Sequence, residues 1–80
     1  MPKNEIHTGK HIENKMDEDG RKAKWLAKQL SCDTSLVHRI YDQQFPATSR
    51  LIDISIILET DFFAHYSEYV RRQIENKNRK

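Results

Sequence analysis

The chain has little of what small proteins use for reinforcement or for nucleotide chemistry: two glycines, two prolines and one cysteine in 80 residues. A lone Cys32 can form neither an intramolecular disulfide nor a multi-cysteine zinc site, and it suits a reducing compartment. With only Gly9 and Gly20, the sequence cannot write GxxxxGKS/T or GxGxxG. Those loops need several positions without a side chain so that a phosphate can approach the backbone, and nucleotide-loop enzymes are excluded. No apolar run approaches the roughly 18–20 residues that span a bilayer, and nothing apolar between Met1 and Ala23 could serve as a signal-peptide core. A cytoplasmic protein that does not enter a membrane is expected. An excess of one charge is also lacking: 14 Lys+Arg against 12 Asp+Glu leave +2, too little for net charge alone to announce nucleic-acid binding.

What is present is helical rhythm. The segment MPKNEIHT holds one large aliphatic, Ile6, and reads as a flexible N-terminal arm over 1–8. From Gly9 to Asp19, Ile12 and Met16 stand four apart, with Thr8 placed to cap and Gly20 suited to the left-handed position that ends a helix. Ala23 to Leu30 carries Leu26, Ala27 and Leu30 at helical spacing, and SCD interrupts it. Asp33 is a natural N-cap for a third helix through Tyr41. Pro46 disfavours helical geometry at Phe45, so Ala47 or Thr48 opens a fourth helix to about Leu58. There Leu51, Ile54, Ile57 and Leu58 share a face that Ile52 and Ile56 widen, and this helix is expected to be the most buried. Asp61 can cap a fifth helix in which Phe62, Phe63, Tyr66, Val70 and Ile74 continue the rhythm before the polar tail ENKNRK. No segment alternates with period two, so the fold class is all-α with five short helices. A domain of this size buries only about 60–65% of the surface its unfolded chain exposes, so the core is thin and a second copy would supplement it.

The most specific feature is the pair WLAKQL and TSLVHRIY separated by SCD, which has the spacing of a helix-turn-helix unit at about 23–41. Two helices meeting after so short a turn bring their backbones close, and Ala27 supplies the small contact residue. Val37 and Ile40 point back towards Leu26 and Leu30. Thr34, Ser35, His38 and Arg39 then fall on the opposite face. That stripe suits a DNA major groove: Arg39 can donate twice to guanine O6 and N7, Thr34 and Ser35 can reach bases or phosphate, and His38 can donate or accept. Charge is concentrated here as well. Residues 20–40 hold Arg21, Lys22, Lys24, Lys28 and Arg39 against Asp33, a local +4, while the rest of the chain sums to −2. Lys22, Lys24, Lys28 and, near the fourth helix start, Arg50 are the candidate phosphate contacts.

On these residues the chain from Gly9 to Tyr66 resembles the Cro/cI-like (XRE-type) helix-turn-helix domain of bacterial and phage repressors. Leu26, Ala27, Leu30, Val37 and Ile40 match the apolar and small positions of that family, and the closing DFFAHYSE is similar to small members of it. The resemblance implies a compact five-helix, lambda-repressor-like fold with a DNA-binding domain over 9–66 and a C-terminal helical extension over 67–80. It also implies a recognition helix carrying Thr34, Ser35 and Arg39, with His38 between them. Ser31 departs from the glycine usual in the turn, Leu36 from a usual polar residue, and Ala47 from a capping side chain.

The function expected is sequence-specific binding of double-stranded DNA by a non-enzymatic transcriptional regulator of repressor type, acting as a homodimer without cofactor. Its two recognition helices would stand about one helical turn, roughly 34 Å, apart. Phe62, Phe63, Tyr66, Tyr69, Val70 and Ile74 offer more apolar area than one small core absorbs and form the expected dimer or partner surface. The alternative is a module that uses this aromatic C-terminal helix to bind a protein partner, such as a toxin or a larger regulator. His7 and His11, four apart, lack a third ligand for zinc. His65 reads as an edge histidine and Cys32 as a small hydrophobe in the turn, and neither has the neighbours that catalysis requires.

Overall fold

The helical periodicity is realised as five α-helices in a computed structural model, which describes residues 6–78. They are α1 Thr8–Glu18, α2 Ala23–Leu30, α3 Thr34–Asp42, α4 Thr48–Leu58 and α5 Ala64–Asn78. No strand occurs among the described residues, so the fold class is all-α as the sequence predicts.

Three of the helices end in the same way. Peptide N–H groups of Gly20 and Arg21 donate to the carbonyls of Asp17 and Met16, those of Ser31 and Cys32 to Lys28 and Ala27, and those of Glu59 and Thr60 to Ile56 and Ser55. In each pair the first residue has positive φ, 69° at Gly20, 55° at Ser31 and 52° at Glu59. This is the left-handed C-cap, which gives partners to carbonyls that the helix itself leaves unpaired. Glycine is free in that region, whereas a side chain there opposes it by roughly 1–2 kcal/mol. Ser31 and Glu59 therefore hold their turns against a local preference.

One apolar cluster joins four helices and a connection: Ile12 and Met16 from α1, Leu26 and Ala27 from α2, Val37, Ile40 and Tyr41 from α3, Leu51, Ile54 and Leu58 from α4, and Phe62. Phe62 was expected on a partner surface within a helix starting near Asp61. It is instead 2% exposed, in the turn before α5. Asp61 Oδ1 accepts from the Phe63 N–H at 2.9 Å and closes that turn, so Phe62 points into the core and the helix begins at Ala64. On α4 the inner face is Leu51, Ile54 and Leu58, while Ile52 and Ile56 face solvent. The first turn of α4 has no side-chain cap at Ala47.

The expected flexible arm over 1–8 does not hold for residues 6–8. Residues 1–5 lie outside the described residues, but Ile6 is buried and Thr8 is completely so. Thr8 is already inside α1, and its predecessor His7 is the cap, with Nδ1 accepting from Lys10 N–H. What fixes this segment is main chain against main chain. Thr8 N–H donates to Gln44 O and Gly9 N–H to Gln43 O, both at 3.0 Å, and Gln44 Nε2 donates to Ile6 O at 2.9 Å. The N-terminal donors of α1 thus meet the carbonyls at the end of α3, and the two helix dipoles oppose favourably.

Gly9 makes that approach possible, because a Cβ at this position would collide with the carbonyl oxygens of Ile40, Tyr41 and Gln43. Gly9→Ala is therefore expected to lower stability by about 3 kcal/mol, the upper end for overpacking because the obstacles are backbone atoms. Thermal unfolding followed by circular dichroism should show a Tm drop of more than about 10 °C. An unchanged Tm would mean that α1 does not lie this close to α3.

Candidate nucleic-acid interface

The candidate site is built on α2, the three-residue turn and α3. Ala27 is 3% exposed, which seats α2 close on α3, and Leu26, Val37 and Ile40 are buried between the helices and the remaining core. The left-handed Ser31 reverses the chain, and Asp33 starts α3 by accepting the Ser35 N–H at 3.2 Å on Oδ2. The same Oδ2 accepts from Ser35 Oγ. These two bonds from Ser35, together with the positive charge of Arg39, hold the Asp33 carboxyl below the ordinary carboxylate range.

Of the expected base-reading residues, Ser35, His38 and Arg39 are exposed on the side of α3 away from Val37 and Ile40, whereas Thr34, three residues before buried Val37, is half-buried. The Ser35 hydroxyl donates to Asp33, which leaves it as an acceptor only. His38 rests edge-on against Tyr41, with ring centroids 5.9 Å apart. Leu36 is half-buried and packs on the core, so it is not available to a thymine methyl.

Lys24, Lys28 and Thr34 come together. With Ala27, Cys32 and Asp33 they line one shallow depression between α2 and the start of α3. Lys22, the residue before α2, and Arg50, in the first turn of α4, do not line it. Among the described residues, Lys24, Lys28 and Arg39 form no ion pair, so their charges are available to an anionic partner. One feature escaped the sequence reading: the Arg21 guanidinium lies 3.9 Å over the Trp25 ring, covering an aromatic face that would otherwise be open. The spacing of four between the two residues on neighbouring turns was the available signal.

The remaining partner-surface residues divide. Phe63, Tyr66 and Tyr69 are half-buried, and Tyr66 is engaged inward, its hydroxyl oxygen accepting from Thr8 Oγ at 2.8 Å. Val70 and Ile74, one turn apart on α5, are 53% and 52% exposed. Among the described residues, no three His, Cys, Asp or Glu side chains gather as metal ligands, and no helix is long and apolar enough to cross a membrane. Comparisons with family models, with curated proteins and with solved structures give no match for this chain.

Proposed function

We propose that this chain binds double-stranded DNA in a sequence-specific, non-enzymatic way, with α3 entering the major groove as the recognition helix of an XRE-type helix-turn-helix. The observation that carries the reading is the juxtaposition of Lys24, Lys28 and Thr34 around one depression, beside exposed Arg39 on α3. Cations on the first helix of such a pair reach phosphates, and polar side chains on the second reach base edges. Arg39 is the principal base reader, with Thr34 and His38 beside it, while Ser35 shapes the helix start through Asp33. Lys24 and Lys28 contact phosphate, and Lys22 and Arg50 extend the track. A regulator of transcription, of repressor type, is the role this chemistry fits.

A single small module contacts few base pairs, so we propose that it acts as a homodimer on a two-fold site. The exposed pair Val70 and Ile74 favours α5 as the surface where copies meet. The same pair supports the second reading, in which α5 binds a different protein.

Fluorescence anisotropy of duplex DNA at 50 and 200 mM salt tests the first reading. For about four phosphates per protomer, about eight for the dimer, the affinity should fall roughly ten-thousandfold between those salts. Arg39→Ala should weaken the selected sequence by about 1–3 kcal/mol, while Ser35→Ala should change it by less than about twofold. Salt-insensitive binding, or an Arg39→Ala protein that binds as tightly as the parent, would refute it. Sedimentation at high micromolar concentration is expected to give a dimer that the double change Val70→Asp and Ile74→Asp converts to monomer. A parent chain that stays monomeric throughout would transfer α5 to a heterologous partner and leave the DNA reading standing.

A further inference from the structure

α5 meets α1 at its root. None of its residues is fully buried, and the described chain measures 48 Å along its long axis against 23 and 21 Å across. Two contacts tie the root to α1. One is the uncharged hydrogen bond from Thr8 to Tyr66, and the other is a parallel stack of the His11 and His65 rings, with centroids 3.8 Å apart and planes inclined by 5°. The DNA reading leaves this second contact without a role.

We infer that the His11–His65 stack is a pH-operated clasp, which seats α5 on α1 while at least one ring is neutral and releases it when both are protonated. Two neutral imidazoles, or one neutral and one cationic, stack without repulsion. Two imidazolium rings at this separation repel, and in a partly dehydrated setting the repulsion is stronger than in bulk water. The charges that act on His11 are those of His65 and His7, and both oppose its protonation. Lys15 and Glu18 of α1 line the depression with the two rings, together with Asn14, Thr60 and Phe62, His7 acts on His11 from the start of α1, and Glu68 stands three residues after His65 on α5. Lys15 adds positive charge, although its ammonium pairs with Asp19 at 3.5 Å. Glu18 is the one carboxylate that lines this depression.

Partial burial first, then His65 and His7, hold His11 below the ordinary imidazole value. The folded chain therefore takes up this proton less readily than the unfolded one. The stabilisation is intact above the ordinary value of about 6.5 and is lost as pH falls through the lower folded value. The consequence is directional: acidification removes one of the two ties and loosens α5, with its exposed Val70 and Ile74, about the Thr8–Tyr66 bond. The clasp involves α1 and α5 alone and stands whether or not α3 reads DNA.

Two-dimensional NMR of the full chain between pH 8 and pH 5 tests it, with imidazole signals reporting protonation and amide protection factors reporting α5. The His11 imidazole should titrate below its ordinary value, and protection of the amides from Ser67 to Gln73 should fall tenfold or more as the rings of the stack become protonated. His11→Phe, or His65→Phe if the first variant folds poorly, keeps a stacked ring without its charge and should hold α5 protected down to pH 5. Amides of α2 and α3 serve as the folding control and should stay constant. A His11 imidazole that titrates at or above its ordinary value, protection in α5 that does not vary with pH, or a phenylalanine variant that still releases α5 on acidification would each overturn the clasp.

Discussion

The fold depends on one close approach: the backbone of Gly9 against the last carbonyls of α3. A main-chain contact of this kind leaves no slack for side chains to adjust, so the position of α1 sets the position of α3 directly. Thr8 and Gly9 donate to Gln44 and Gln43 in the same place, and helix polarity adds to the hydrogen bonds. The chemistry of Tyr41 reflects the same packing. Burial, then the nearby Glu13 and Asp17 carboxylates of α1, push its phenol above the ordinary value. With its inner face held by α1 and α2, α3 can present only its other side, and that side carries Ser35, His38 and Arg39.

Electrostatics and local geometry then work in one direction. The short left-handed turn at Ser31 places Asp33 where its carboxylate completes the first turn of α3 and takes the Ser35 hydroxyl. A negative group near a proposed DNA surface would repel phosphate if it were isolated. Here it is occupied by donors of the helix start, and Lys24 and Lys28 lie across the same depression. Residues 20–40 carry a local +4 although the overall charge of the chain is only +2.

The elements written in local sequence were legible in advance, and those decided by contact between distant segments were not. Asp33 capping, the stop at Gly20, the break at Pro46 and the Ala27 contact all follow from neighbouring residues and short-range sterics. Gly9 looked like the opening of a helix, because the carbonyls that exclude its Cβ come from more than thirty residues away. Periodicity also failed to choose between overlapping stripes. On α4, Ile52 and Ile56 are as apolar as Ile54 and Leu58, yet a helix can turn only one of these faces inward. Phe62 and Phe63 posed the same ambiguity, and a single turn closed by Asp61 resolved it by sending Phe62 into the core. The exposed stripe of Ser35, His38 and Arg39 could be grouped from the sequence because these residues share one helix. The engagement of the Ser35 hydroxyl with Asp33 could not, since it depends on a rotamer. The stacking of His11 on His65 joins two helices that no local pattern connects.

The central proposal is that the outward side of α3 and the lysines of α2 form one DNA-reading surface. Amide chemical-shift mapping of the labelled protein against a bound duplex examines it residue by residue. The proposal predicts that the largest changes cluster at Lys24, Lys28, Thr34, His38 and Arg39, and that α1 and the buried side of α3 stay nearly still. Changes confined to α5 around Val70 and Ile74, with the α2–α3 unit unaffected by DNA, would contradict it.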